Sequence, residues 1–309
     1  MSTTSRIPSD HGLSARMGFT MFLIGALYVG VMALLIASGI SAGFVIVIAV
    51  IVLFCQYWFS DKISLYAMHA REVTPQEAPE LHAIVDRLCA SADMPKPRVA
   101  IADTDMPNAF ATGRSPKHAV VCATSGIMRR LDADELEGVL GHELSHVAHR
   151  DVAVMTFASF LGVAAGLFTR MMFWSSLFGG SYDDDEDNGG AAGYLVIMLV
   201  SMLVYALSFL LTRTLSRYRE LSADRSGAIL TGRPSSLASA LRKITGDMAR
   251  IPTSDLRTAE PFNAFFFTPA LANGFSISSL FSTHPSLDKR LAQLDEIARE
   301  LGQPAIVTH

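Results

Sequence analysis

Residues 17–60 contain no charged side chain, and that run limits what the chain can fold into more than any other feature. A helix needs about 20 residues to cross the hydrocarbon of a bilayer, so the run has room for two crossings and a tight turn. Ser38-Gly39-Ile40-Ser41 supplies the turn and gives spans near 18–37 and 42–59. Tyr57 and Trp58 then fall at the end of the second span, where amphipathic rings favour the interface. Two more apolar stretches, 152–169 and 193–212, make a second candidate hairpin. Gly162 and Gly166 in its first arm permit close helix contact. Arg170 shortens that arm, and a hairpin buried in a soluble domain is the competing reading. Half of the 309 residues are apolar and 17% are charged. This is too oily for an ordinary soluble domain and too charged for a membrane bundle alone, so both parts are expected together.

The net charge of −4 is an effect of one segment, because Asp183, Asp184, Asp185, Glu186 and Asp187 carry five negative charges. The rest of the chain is close to neutral, and nothing in it suggests nucleic acid. Basic residues flank the apolar stretches on one side: Arg6 and Arg16 before the first, Arg150 before the third, and Arg213, Arg217 and Arg219 after the fourth. By the positive-inside rule both termini face the cytoplasm and the acidic loop faces out, with Arg170 alone dissenting. Cys55, Cys89 and Cys122 are odd in number and widely spaced, so neither a disulfide framework nor a Cys-type zinc site follows. The first apolar run is too long, and lacks a processing site, for a cleavable signal.

His142-Glu143-Leu144-Ser145-His146 is an H-E-x-x-H string. Its two histidines, four apart, stand on one helical face and can reach a single metal ion, and the glutamate beside the first can work on a water molecule there. The context is helical. Asp132 and Glu135 have capping-box spacing, and Leu136, Val139, Leu140, Leu144 and Val147 recur at helical intervals. Elsewhere in residues 61–151, Thr74-Pro75-Gln76-Glu77 predicts a helix opening there and running to about residue 92. Strands are expected at 97–101 and 119–123, with a possible edge strand from Pro107 through Gly113 between them. Residues 215–230 read as helix, broken at Gly232-Arg233-Pro234, and another helix runs from Ser235 or Ser236 to about Met248. The uncharged residues 261–283 contain Pro261, Pro269 and Gly274 and cannot make a good spanning helix, so Phe262, Phe265, Phe266 and Phe267 mark a loop. Pro285 opens a terminal helix with Leu287, Leu291, Leu294 and Ile297 on one stripe. The class is α+β, mainly α, with a tail at 1–16, two spans in 17–60, a hairpin in 152–212, and soluble halves at 61–151 and 213–309.

Catalytic zinc usually takes three protein ligands. His149 lies about 10 Å beyond His142 along an unbroken helix, too far to share an ion bound by His142 and His146. Glu220 and Asp224, four apart on a later helix, offer one carboxylate as ligand and one to accept an imidazole N–H.

In order along the chain these features resemble the HtpX-like membrane zinc endopeptidases, relatives of the eukaryotic CAAX prenyl proteases. The resemblance covers nearly the whole chain. It rests on the two N-terminal spans, Asn108-Ala109-Phe110-Ala111-Thr112-Gly113, the string 142–146, the second hairpin, Arg217 with Glu220 and Asp224, and His284-Pro285. It implies a gluzincin-type domain split around a transmembrane hairpin, holding one Zn2+ per chain through His142, His146 and Glu220. Glu143 is then the catalytic base, Asp224 the partner of a zinc histidine, and Asn108, Ala109 and Phe110 part of a substrate-binding edge strand. The resemblance also implies quality control of unfolded or membrane polypeptides at the cytoplasmic face of a bacterial inner membrane. Relatives often have a second proline after the late histidine, where this chain has Ser286, which leaves the role of His284 open. His284 and Arg217 are the candidates for stabilising an oxyanion, with a helix-entry residue and an ion pair as their structural alternatives. The expected reaction is direct hydrolysis of peptide bonds without a covalent intermediate. Alternatives are a CAAX-type protease of prenylated peptides, a non-catalytic zinc-containing scaffold, and a transporter or channel. Almost no ionisable residue lies in the spans, which argues against the last. The sequence does not indicate an oligomeric state.

Overall fold

The computed structural model describes residues 11–37, 43–156, 158, 189–248 and 285–306. The turn at 38–41, nearly all of the arm 152–169 past its first turn, the acidic run, the loop 261–283 and His284 lie outside the described residues. Two helices, α1 (His11–Ala37) and α2 (Gly43–Trp58), occupy the uncharged run. They leave Phe19, Phe22, Val29, Val47, Val50, Ile51 and Phe54 exposed, a set of large apolar side chains that fits contact with lipid.

Helix α3 (Ser60–Ala67) follows at once and leads into a mixed four-stranded sheet of β1 (Ala70–Glu72), β2 (Arg98–Ala102), β3 (Ala109–Thr112) and β4 (Val120–Thr124). Its order is β1-β2-β4-β3, with β2 and β4 parallel and the outer pairs antiparallel. The strands expected at 97–101 and 119–123 are present, each shifted by one residue. The stretch 109–112 forms an edge of the sheet. The three residues of β1 carry no period long enough to read from sequence.

Helix α4 (Pro79–Ala92) begins four residues later than its capping pattern suggests. Only half of the box forms: Thr74 N–H and Oγ1 donate to Glu77 Oε2 at 2.7 and 3.0 Å, while Glu77 N–H bonds the Thr74 carbonyl. It closes a separate turn, and Pro79, free of any need for a backbone donor, takes the first turn of the helix instead. Helix α5 (Ser125–Arg130) starts on Thr124, whose Oγ1 accepts from Ile127 N–H at 3.1 Å. Helix α6 (Ala133–Ala148) carries the H-E-x-x-H string and opens with the capping box expected of Asp132 and Glu135. Glu135 also ties α6 to the next layer, accepting from Ser239 Oγ and Lys243 Nζ at 2.6 and 2.7 Å.

Helix α7 (Gly189–Thr231) runs without a break through the fourth apolar stretch and on through Glu220 and Asp224. Among the described residues it holds the one stretch long and apolar enough to cross a membrane by length and composition, Leu199–Thr231; Ala15–Gly30 is a shorter apolar helix. It packs against α1 around Ile24 and Leu215, joined by Met21, Tyr28 and Leu211. Gly232, at φ 66°, ends it in the left-handed conformation that glycine adopts at no steric cost. Helices α8 (Pro234–Met248) and α9 (Leu287–Glu300) complete the layer. Pro285 precedes α9 rather than opening it. Ser286 is its cap, with Oγ accepting from Lys289 N–H at 3.4 Å. The departure from two prolines therefore has a local use.

The main core lies between one face of the sheet and α4, α6, α8 and α9. Val85, Val121, Val139, Leu140, Leu237, Leu241, Leu294 and Ile297 meet there. Each such side chain contributes about 1.5–3 kcal/mol on burial. The opposite face packs Phe110, Val120 and Cys122 against Leu65 of α3 and Met68. Burial pushes the Cys122 thiol up to about 12, so it is an inert packing group.

Candidate active site

The site forms where α6 crosses α7. Gly141 and Gly227 face each other at the crossing, and a Cβ on Gly227 would lie 2.7 Å from the backbone nitrogen of His142. Only a hydrogen at that position lets the two helices approach so closely, and the approach sets the carboxylate of Glu220 opposite the two imidazoles. His142 Nε2 is 3.6 Å from Glu220 Oε2, His146 Nε2 is 3.4 Å from Glu220 Oε1, and the two Nε2 atoms are 3.2 Å apart. Zinc bonds of about 2.0–2.1 Å in a tetrahedron place ligand atoms about 3.3 Å from one another. The three side chains form a group that could hold a metal ion, and the spacing fits zinc.

The outer nitrogens explain why the inner ones are free to bind. His142 Nδ1 lies 2.8 Å from Asp224 Oδ1, and His146 Nδ1 lies 2.5 Å from Asp151 Oδ2. A proton on each Nδ1 satisfies these carboxylates and fixes the tautomer with the Nε2 lone pair inward. Each carboxylate is held in turn by a buried arginine. Arg290 on α9 donates through Nε and Nη2 to Asp224 at 2.7 and 2.6 Å, and Arg219 pairs with Asp151. Arg150, left-handed at φ 56°, turns the chain after α6 so that Asp151 comes back beside His146.

Two lone pairs and a carboxylate thus converge on one point. Counting charge gives the same picture. Glu143, Glu220, Asp224 and Asp151 are buried carboxylates, and Arg219 and Arg290 are buried guanidiniums. Four negative charges against two positive leave a deficit of two when the histidines are neutral, which one divalent cation balances. Burial works against a charged His142, but the charge and hydrogen bond of Asp224, with Glu220, outweigh it and hold the imidazole pKa above its usual range. The same holds for His146, where Glu220 and Glu143 outweigh burial. Both shifts express the same local demand for positive charge.

Glu143 points to the sheet. Its carboxyl pKa is raised by burial, against the pull of His142 and His146, and its Oε2 accepts from Ala111 N–H at 3.1 Å. That bond also shows which groups of β3 face outward. Thr124 N–H donates to Asn108 O, so even positions turn toward β4 and the peptide groups of Ala109, buried, and Ala111, half-buried, face away from it. The side chains of Asn108 and Phe110 are buried within the fold.

Of the residues singled out from sequence, His142, His146 and Glu220 come together, Asp224 meets His142, and Glu143 meets the edge strand. His149 caps the end of α6 outside the cluster. Arg217 lies half-buried on α7. His284 lies outside the described residues. Sequence reasoning missed Asp151, Arg219 and Arg290. Asp151, five residues past His146 and just beyond the helix end, had a readable spacing. Arg290 had none.

Comparisons with known proteins point to a peptidase family. The model of peptidase family M48 matches residues 75–298. The chain is 60% identical over 299 residues to Protease HtpX homolog 1 of Streptomyces coelicolor, covering 97% of each chain. It is 56% identical over 299 residues to Protease HtpX homolog of Moorella thermoacetica, covering 96% of this chain and 98% of the other. In fold it resembles the crystal structure of S. mikatae Ste24p, with a TM-score of 0.57 and 18% identity. That likeness covers 90% of this chain and 62% of the larger one.

Proposed function

We infer how this chain works from what it is: it belongs to peptidase family M48 and is a membrane zinc metalloprotease, a hydrolase of peptide bonds. His142, His146 and Glu220 are the zinc ligands in this reading, one ion per chain, and the observation that carries it is the convergence of their three donor atoms. When bound, zinc supplies Lewis acidity to water and to the scissile carbonyl. Glu143 takes a proton from the attacking water and returns it to the leaving nitrogen. Asp224 and Asp151 hold the imidazole protons on Nδ1, and Arg290 and Arg219 hold those carboxylates in place.

The substrate is an extended polypeptide that adds to the outer edge of β3, pairing with the outward peptide groups of Ala109 and Ala111 and displacing Glu143 from Ala111 N–H. Strand addition reads backbone, so specificity is broad and falls on unfolded segments of membrane proteins. This suits a role in membrane-protein quality control. The protein crosses a bacterial plasma membrane several times, with the metalloprotease halves on either side of a hairpin and the site facing the cytoplasm. Glu220 lies seven positions beyond Arg213, about 10 Å along the helix, so the site lies just below the bilayer.

Detergent-solubilised protein should cleave an unfolded casein substrate, and a chelator should stop it. Glu143→Gln should lower turnover about 10²–10⁴-fold with zinc content unchanged. Retained turnover would remove Glu143 from this role. Cleavage of an unmodified polypeptide also separates this activity from one restricted to prenylated peptides.

A further inference from the structure

Helix α3 is built inside out. Ser64 is 1% exposed and Asp61 7%, whereas Tyr66 is 86% exposed, Ile63 45% and Phe59, just before the helix, 41%. The polar groups are used inward. Ser64 Oγ donates to Ser60 O at 2.8 Å, and Asp61 pairs with Arg98 of β2, which also holds Glu72 at 2.5 Å. Phe59, Ile63 and Tyr66 recur at helical spacing and share the outward face. A helix in water would reverse this arrangement, because burying the apolar side instead would recover roughly 25 cal/mol per Å2. Against lipid the arrangement is favourable as it stands.

Two observations identify what covers that face. It continues the exposed apolar side of α2 through Ile51, Phe54 and Trp58. Lys62 shares it, with its ammonium 5.9 Å from the Phe59 ring, as a lysine does when its stem lies in apolar surroundings and its head reaches anionic groups. The same level is strapped to the sheet edge. Arg114, two residues past β3, sets its guanidinium 4.4 Å over the Trp58 ring, and Tyr57 Oη donates to Arg114 O at 2.9 Å.

We propose that α3 lies in the headgroup layer, with Phe59, Ile63 and Tyr66 in lipid and Lys62 and Arg114 among anionic headgroups. Through Leu65 against Phe110 and Arg114 on Trp58 it holds the open edge of β3 at the bilayer surface. The occupant of this face is the lipid itself. One consequence rests on β3 being the substrate edge: the protease takes segments by where they leave the membrane.

The test uses full-length protein in phosphatidylcholine–phosphatidylglycerol nanodiscs. Tyr66→Cys carries a nitroxide in a Cys55→Ser background, with Cys89 and Cys122 left buried. The label should collide with oxygen far more than with a water-soluble nickel chelate, as a label at Val50→Cys does. Preference for the nickel chelate would overturn the proposal. So would dipolar broadening that vanishes on dilution with unlabelled protein, which would put a second copy on this face. Replacing Phe59, Ile63 and Tyr66 together by serine should slow cleavage of a vesicle-tethered peptide about tenfold and leave a soluble unfolded substrate cut at the original rate. Should the label read lipid while tethered cleavage is unchanged, the seating of α3 stands and the assignment of β3 as substrate edge fails.

Discussion

The two halves of α7 obey opposite rules. From Leu199 to Leu210 most of its large apolar side chains, among them Leu203 and Leu207, are exposed and no residue is charged. From Leu215 to Ala228 its buried positions include Arg219, Glu220 and Asp224. One continuous backbone thus presents oil outward in one half and charge inward in the other. The difference lies in the surroundings. In the membrane-spanning reading, lipid gives the first half no reason to turn its leucines inward, so the helix is held by its own hydrogen bonds and by shape. The second half sits inside protein, where each charge survives only because a partner of opposite sign meets it.

The largest effect should come from Glu220→Ala. Zinc per purified chain should fall to background, and activity by several kcal/mol of lost transition-state stabilisation, about 10³-fold or more. Unchanged metal content would mean that the charged half of α7 is not a metal half. Next comes Arg290→Met, which takes the balancing charge from buried Asp224 and leaves it only the His142 N–H. Thermal unfolding in detergent should show a loss of about 3–5 kcal/mol, and wild-type stability would show that water reaches the pair. Gly227→Ala forces the crossing of α6 and α7 apart at a cost of about 1–3 kcal/mol, accompanied by weaker zinc binding in a competition titration. The smallest effect belongs to Leu203→Ala, within about 0.5 kcal/mol in the same unfolding assay. A loss of 2 kcal/mol or more, as for a core leucine, would place the apolar half of α7 in protein rather than lipid.

How much of this could be read from sequence depended on distance along the chain. His142 with His146, and Glu220 with Asp224, are pairs four residues apart, and the helix period alone puts each pair on one face. Capping of α6 by Asp132 and the edge position of residues 109–112 followed from equally local patterns. The start of α4 differs from the pattern because Thr74 and Glu77 bond each other within a turn of their own, without the side-chain cap that would open a helix. Arg290 escaped notice because its partner Asp224 lies on another helix, and an arginine in an amphipathic terminal helix looks like surface. The inward Asp61 and outward Tyr66 of α3 were invisible for a related reason. Side-chain pattern tells which residues share a face, and only the neighbours tell which face is inside.

That α7 is a single uninterrupted helix has a practical meaning for anyone who wants to handle the protease without detergent. No loop separates its oily end from the turn that carries Glu220, so there is no hinge at which to sever one from the other. A cut anywhere between them would create a new helix start with four unpaired amide groups and would strip away α1, its packing neighbour. The catalytic half is not a detachable module, and its solubility has to be engineered along the rod instead of being released from it.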